Sequence, residues 1–156
     1  MIMARNINSM RVIYNKKTMV YLRYMTTKEW KTKHLKQAGY KCEITGKKYS
    51  YNKTPLTVHH LDKTFDDIVR QAHKELHIKF HTYISDYIES DLDKLIQLIT
   101  DIHKTVKGIV LDADVHTRIH QRFGDNPTEE EVRQYKKNYR TSLYKKKNNS
   151  YKCMAN

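Results

Sequence analysis

Apolar positions along this chain keep two different periods, and the change from one to the other marks its elements. Between Phe65 and Val106 the period is helical. Phe65, Ile68, Val69, Ala72 and Leu76 share one face, and Leu92, Leu95, Ile96, Ile99, Ile102 and Val106 share another, so two or three helices are expected there. Short β-rich runs flank that stretch, LTVHHL before it and KGIVLD after it, and each reads as a strand. Thr26 with Glu29 has the form of a capping box; Trp30, His34, Leu35 and Ala38 keep helical spacing behind it, and Gly39 offers a left-handed stop, which predicts a helix over 27–38. Asp112 or Asp114 caps a further helix that carries His116, Ile119, His120 and Phe123 and ends at Gly124. Thr128 with Glu131 opens a last helix. Residues 11–24, RVIYNKKTMVYLRY, mix β-formers around a polar NKKT and read as a loose hairpin. The expected class is α+β and mostly helical, with a long helical insert between two strands and Trp30, Leu35, Leu111, Ile119 and Phe123 in the core.

Charge alters that picture at both ends. Residues 1–42 hold ten Lys/Arg and one acid, residues 43–132 hold twelve bases and sixteen acids, and residues 133–156 hold eight bases and no acid, for a net charge of +13. This layout reads as a basic arm over 1–26, a central domain over 27–139 with its insert at about 64–106, and a basic tail over 140–156. Nucleic acid is the polyanion such arms fit, since neutralising phosphates releases condensed counterions. A lysine-rich solubilising surface would show the same charge. In the tail, Tyr135, Tyr139, Tyr144 and Tyr151 alternate with Lys136, Lys137, Arg140, Lys145, Lys146 and Lys147, a mixture suited to following a DNA backbone, although the same tyrosines fit a helix face docked on the core. No run approaches the ~20 apolar residues of a membrane span and the first residues do not form a secretory signal, so a soluble, unexported, cytoplasmic protein is expected. Cys42 and Cys153 form no disulfide framework, as suits a reducing compartment.

Four histidines carry the candidate chemistry. His59 and His60 stand side by side at the end of the first strand, and His116 and His120 lie one helical turn apart on the helix after the second. Imidazole is a common ligand for divalent metals, and residues four apart on a helix face the same way, so three ligands and one spare base are on offer. His73, His77 and His81 form a rival stripe in HKELHIKFH that reads more simply as a polar helix face.

The company of the four histidines narrows the reading. GIVLDADVHTRIHQRFG, followed by NPTEEEVRQYKKNY, resembles the closing half of HNH (ββα-metal) endonucleases encoded by phages and mobile introns. Upstream, KEWKTKHLKQAGYKCEITGKK and LTVHHLDK are similar to that family's entry helix, cysteine turn and HH strand. The likeness runs from Thr27 to Tyr139, interrupted by the insert, and its most specific pieces are VHHLDK and VHTRIHQRFG. It implies that His59, His116 and His120 hold one divalent ion, Mg²⁺, Mn²⁺, Zn²⁺ or Ni²⁺, while His60 is the general base. The implied reaction is hydrolysis of DNA to 5′-phosphate and 3′-hydroxyl ends, with Arg118 and Arg122 beside the helical ligands as candidate phosphate contacts. Homing, phage DNA processing and defence all fit these residues.

Two positions depart from the family pattern. Its central Asn falls near Lys107, so the brace lies elsewhere, the loop is held differently, or activity is impaired. Of the cysteines that hold a structural zinc in many relatives this chain keeps Cys42, with Thr45, Asp112 and Val115 at the other places; no structural zinc is expected, and core packing by the inserted helices would have to replace it. Strand geometry adds a demand, because neighbours alternate between faces and the chain must bend near His59 and His60 if both are to reach one phosphate. A catalytically degenerate DNA-binding module and a metal-stabilised structural protein are the competing readings.

Overall fold

The computed structural model describes residues 16–48 and 55–153, with side chains described as far as residue 142. It is α+β and mostly helical: α1 (Thr18–Thr26), α2 (Lys28–Gln37), β1 (Leu56–His60), α3 (Phe65–Glu75), a short 3₁₀ turn (Ile84–Asp86), α4 (Glu89–His103), β2 (Gly108–Asp112), α5 (Ala113–Phe123) and α6 (Glu129–Cys153). The chain divides into two compact units, one comprising residues 1–32 and 63–106, the other residues 33–62 and 107–156.

The first unit is helical. α1 packs on α3 and α4, which pack on each other. The hairpin expected over 11–24 is replaced from Thr18 onward by α1, and residues 11–15 lie outside the described part. Residues 18, 21, 22 and 26 are buried; that i, i+3, i+4, i+8 spacing is a helix stripe, and burying it outweighs the β preference of the individual residues. Thr26 is the last residue of α1, not a cap for α2: its hydroxyl donates to the Leu22 carbonyl at 2.7 Å. A capping box does open α3, where Thr64 and Asp67 satisfy each other's backbone N–H. Trp30 Nε1 donates to the Val106 carbonyl at 2.9 Å, and its ring stands edge-on to His103. Leu22, Ile68, Ala72, Leu95 and Ile99 are fully enclosed. Each of the leucines and isoleucines contributes about 1.5–3 kcal/mol by leaving water.

The second unit is built on two antiparallel strands in the register Leu56↔Asp112 to His60↔Gly108. α5 lies across both strands and α6 packs on α5. Ile109, Leu111, Val115, Ile119 and Val132 form its core with Cys42 and Ile44, and Tyr135 and Tyr139 pack against that cluster. Residues 132, 135 and 139 share one stripe of α6, so these two tyrosines dock the helix and do not interleave with its cations. The side chains of Tyr144, Lys145, Lys146, Lys147 and Tyr151 lie outside the described residues. The expected Thr128–Glu131 box forms, with Glu131 accepting from the Thr128 N–H at 2.7 Å. Among the described residues no helix is long and apolar enough to cross a membrane.

The four positions that the family resemblance allots to a structural zinc are joined by hydrogen bonds. Cys42, buried, accepts from the Thr45 N–H through sulfur; the Thr45 hydroxyl donates to Asp112 Oδ2 at 3.0 Å; Asp112 Oδ1 accepts from the Val115 N–H at 2.8 Å and so caps α5. Glu43 ties the same turn to β2, receiving the Val110 N–H on its carboxylate and donating its own N–H to the Val110 carbonyl. The turn is thus tied by its own side chains and by this unit's core.

Candidate metal centre

Three of the four histidines converge. His59 is the fourth residue of β1, on the face that α5 covers, and is 8% exposed; His116 and His120 stand on successive turns of α5. His59 Nδ1 lies 3.2 Å from His116 Nε2, and His120 Nε2 lies 3.1 Å from the same atom. One nitrogen from each ring falls within 4.8 Å of the other two, a group that can hold a metal ion. A cation bound tetrahedrally at ~2.0–2.1 Å sets its ligand nitrogens roughly 3.3–3.4 Å apart, so the spacing suits such an ion.

The protonation chemistry fits as well. His120 Nδ1 donates to the Gly124 carbonyl at 3.0 Å, which fixes the tautomer and leaves Nε2 a lone pair directed at the cluster. Gly124, at φ +86°, ends the helix and turns its carbonyl to this position. Burial, followed by the neighbouring charges of His116 and His120, lowers the His59 pKa to about 4, and burial with the charge of His120 lowers that of His116. These rings are therefore neutral and able to ligate at physiological pH. His59 Nε2, on the far side of its ring, is buried and has no hydrogen-bond partner.

His60 stands outside this group. It pairs with Gly108 in unbroken register, so strand alternation turns it to the face opposite His59. The bend demanded for both rings to meet one phosphate does not occur within β1, which ends with His60 half-buried. The loop beyond is pinned: Asp62 Oδ1 accepts from the Lys107 N–H at 3.0 Å, and the Leu61 N–H donates to the Lys107 carbonyl at 3.0 Å. Asp62 thus braces the strand end beside the position where the family's central Asn would fall, while the Lys107 ammonium pairs with Glu129 at 3.2 Å. The LDK that follows the histidine doublet was the available signal for Asp62.

The remaining candidates are scattered. Arg118 and Arg122 are exposed on α5, Arg122 lying 5.3 Å from the Phe123 ring; Lys136 is half-buried and Lys137 and Arg140 are exposed on α6. The rival stripe does not assemble. His73 is buried, with Nδ1 on the Val69 carbonyl and Nε2 on the Tyr87 hydroxyl; His77 is exposed in a left-handed conformation; and the His81 ring stacks edge-on against Tyr87. No family model, curated protein or solved structure matches this chain.

Proposed function

We propose that this chain is a metal-dependent DNA endonuclease of the HNH type, its two strands and α5 forming a ββα-metal finger that hydrolyses phosphodiesters to 5′-phosphate and 3′-hydroxyl ends. The observation that carries the reading is the meeting of His59, His116 and His120 behind a strand pair whose first strand ends in a second histidine. A divalent cation held by these three rings would supply Lewis-acid charge against the scissile phosphate, and an all-imidazole set favours Zn²⁺, Ni²⁺ or Mn²⁺ over Mg²⁺. The protein's own part is to orient the rings, through Gly124 for His120 and burial for His59, and to keep His59 and His116 unprotonated by burial. His60 would take the proton of the attacking water, phosphorus–oxygen bond breaking would release the 3′ oxygen, and solvent would return a proton to it. The exposed guanidinium groups of Arg118 and Arg122 would meet flanking phosphates.

The placement of His60 favours one alternative, a metal-bearing DNA-binding module that has lost its base. Plasmid nicking with and without EDTA separates the two, using wild type, His60→Ala and His116→Ala. The nuclease reading expects metal-dependent cutting that falls at least about a hundredfold in either variant, with His60→Ala still binding DNA. Undiminished cutting by His60→Ala removes the base; absent cutting with every divalent metal, alongside intact DNA binding, establishes the module.

A further inference from the structure

The helical unit carries a groove that the metal centre does not use. Met19, Val20, Arg23 and Tyr24 of α1 and Lys31 of α2 line an open cleft of about 340 Å³, near the low end of the ~300–1,000 Å³ common to ligand sites. Val20 and Tyr24, one turn apart, are 63% and 77% exposed and give the cleft an apolar-bodied wall. Arg23 lies with its guanidinium 4.5 Å from the Phe65 ring centroid, held in place by a cation–π contact. The carboxylate acting on Arg23, Asp66, is itself paired with Arg70 at 2.6 Å. Neither Arg23 nor Lys31 makes an ion pair among the described residues. Burial, then the charge of Arg23, pushes the Lys31 pKa down, and burial lowers that of Arg23.

Two cations set together without an acid between them gain stability when an anion joins them, and the apolar wall beside them calls for a ligand that is part anion and part ring. We infer that this α1–α2 groove binds a phosphate–sugar segment of DNA, with the phosphate taken by Arg23 and Lys31 and the adjoining sugar or base laid on Val20 and Tyr24. A nucleotide has this alternation of charge and apolar ring built into every repeat, and stacking on tyrosine is indifferent to base identity. The chain's surplus of thirteen positive charges favours the same partner. An acidic peptide would satisfy the cations but leave the exposed tyrosine without a planar partner. The inference rests on the nucleic-acid reading for its partner, and it assigns to the helical unit a role in holding substrate apart from the chemistry.

The full chain in EDTA, titrated into a fluorescein-labelled duplex of about 20 base pairs over a range of salt, tests it by anisotropy. Lys31→Gln should weaken binding and flatten the log K against log salt slope by about 0.9, as one lost phosphate contact does, and Arg23→Gln with Lys31→Gln by about twice that. Tyr24→Ala should weaken binding about tenfold while leaving the slope unchanged. Circular dichroism melts screen for folding, and Lys31→Gln and Tyr24→Ala, at partly or largely exposed positions, keep the test valid if Arg23→Gln unfolds. Unchanged affinity and slope in folded Lys31→Gln and Tyr24→Ala overturn the groove and assign it to another class of partner, as does absence of DNA binding by wild type. Because cutting plays no part in this measurement, metal-dependent cutting with unaltered variant binding sinks the groove alone. Altered variant binding without any cutting by wild type keeps the groove and sinks the nuclease.

Discussion

The two units of this chain treat buried histidine in opposite ways. In the helical unit, His73 and His103 each donate Nδ1–H to the carbonyl four residues back, Val69 and Ile99 at 2.8 Å, and their rings pack among aromatic neighbours. Such rings are core pieces whose Nδ1–H satisfies a helix carbonyl. In the strand unit, the buried or half-buried rings of His59, His116 and His120 turn nitrogens toward one another at 3.1–3.2 Å. A single N–H on these nitrogens can bridge only one of the two close approaches, whereas a shared cation satisfies all three rings. What separates structure from site is therefore the partner of the inward nitrogen, and neither burial nor helical spacing reveals it.

Metal addition should divide the units most sharply. Saturating Zn²⁺ or Ni²⁺ at about a hundred times Kd should stabilise wild type by about 2.7 kcal/mol, read as a shift in Tm. His116→Ala should abolish that shift, since even loss of an outer-shell partner costs about 10–100-fold in affinity. His73→Ala should lower Tm without metal, by the loss of packing and of a carbonyl partner, yet keep the metal-induced rise. A full metal shift in His116→Ala would erase the distinction drawn between the two units.

Much of this was legible from residue spacing. α3, α4, both strands, α5 with its Gly124 stop, and the pair His116 and His120 follow from periodicity and caps, and the convergence of His59 follows once the strands pair. Three features were misread or left open because tertiary contacts decide them. Burial of Thr18, Tyr21, Leu22 and Thr26 converts β-prone residues into α1. Alternation sends His60 away from its neighbour once the register is unbroken. Tyr135 and Tyr139, interleaved with cations in sequence, spend their rings on the core. The polar braces, Asp62 on Lys107 and Asp112 on Thr45, join positions 45 and 67 residues apart, beyond the reach of any local pattern.

Asp112 offers the next sharpest division, because it acts only in the strand unit. Asp112→Ala removes the cap of α5 and leaves the Thr45 hydroxyl without its acceptor, a change expected to cost about 1–2 kcal/mol. Since α5 carries His116 and His120, the loss should appear twice, as a lower Tm and as weaker metal binding. Asp112→Asn keeps an acceptor for the Val115 N–H and should recover most of both. A variant that lowers Tm but leaves metal affinity intact would show that the two ligands are positioned independently of this cap.

The smallest effect concerns acid, and one residue makes it readable. Trp30 is the only tryptophan and stands 5.5 Å from the His103 ring, so its fluorescence reports on the helical unit. Burial holds the pKa of His103 below its ordinary 6.5; the Ile99 carbonyl opposes that shift, and the charges of Arg23 and Lys31 reinforce it. The unfolded chain therefore takes up a proton at about pH 6.5 that the folded chain refuses, so stability is complete above that value and falls as pH drops below it. Urea melts followed at Trp30 from about pH 7 to about pH 5 should show this decline, with a slope for this group of at most about 1.4 kcal/mol per pH unit. His103→Leu, which keeps bulk beside Trp30, should remove its share of the slope. An identical slope in wild type and His103→Leu would mean that the acid response of the helical unit lies elsewhere and that His103 is not held neutral by its surroundings.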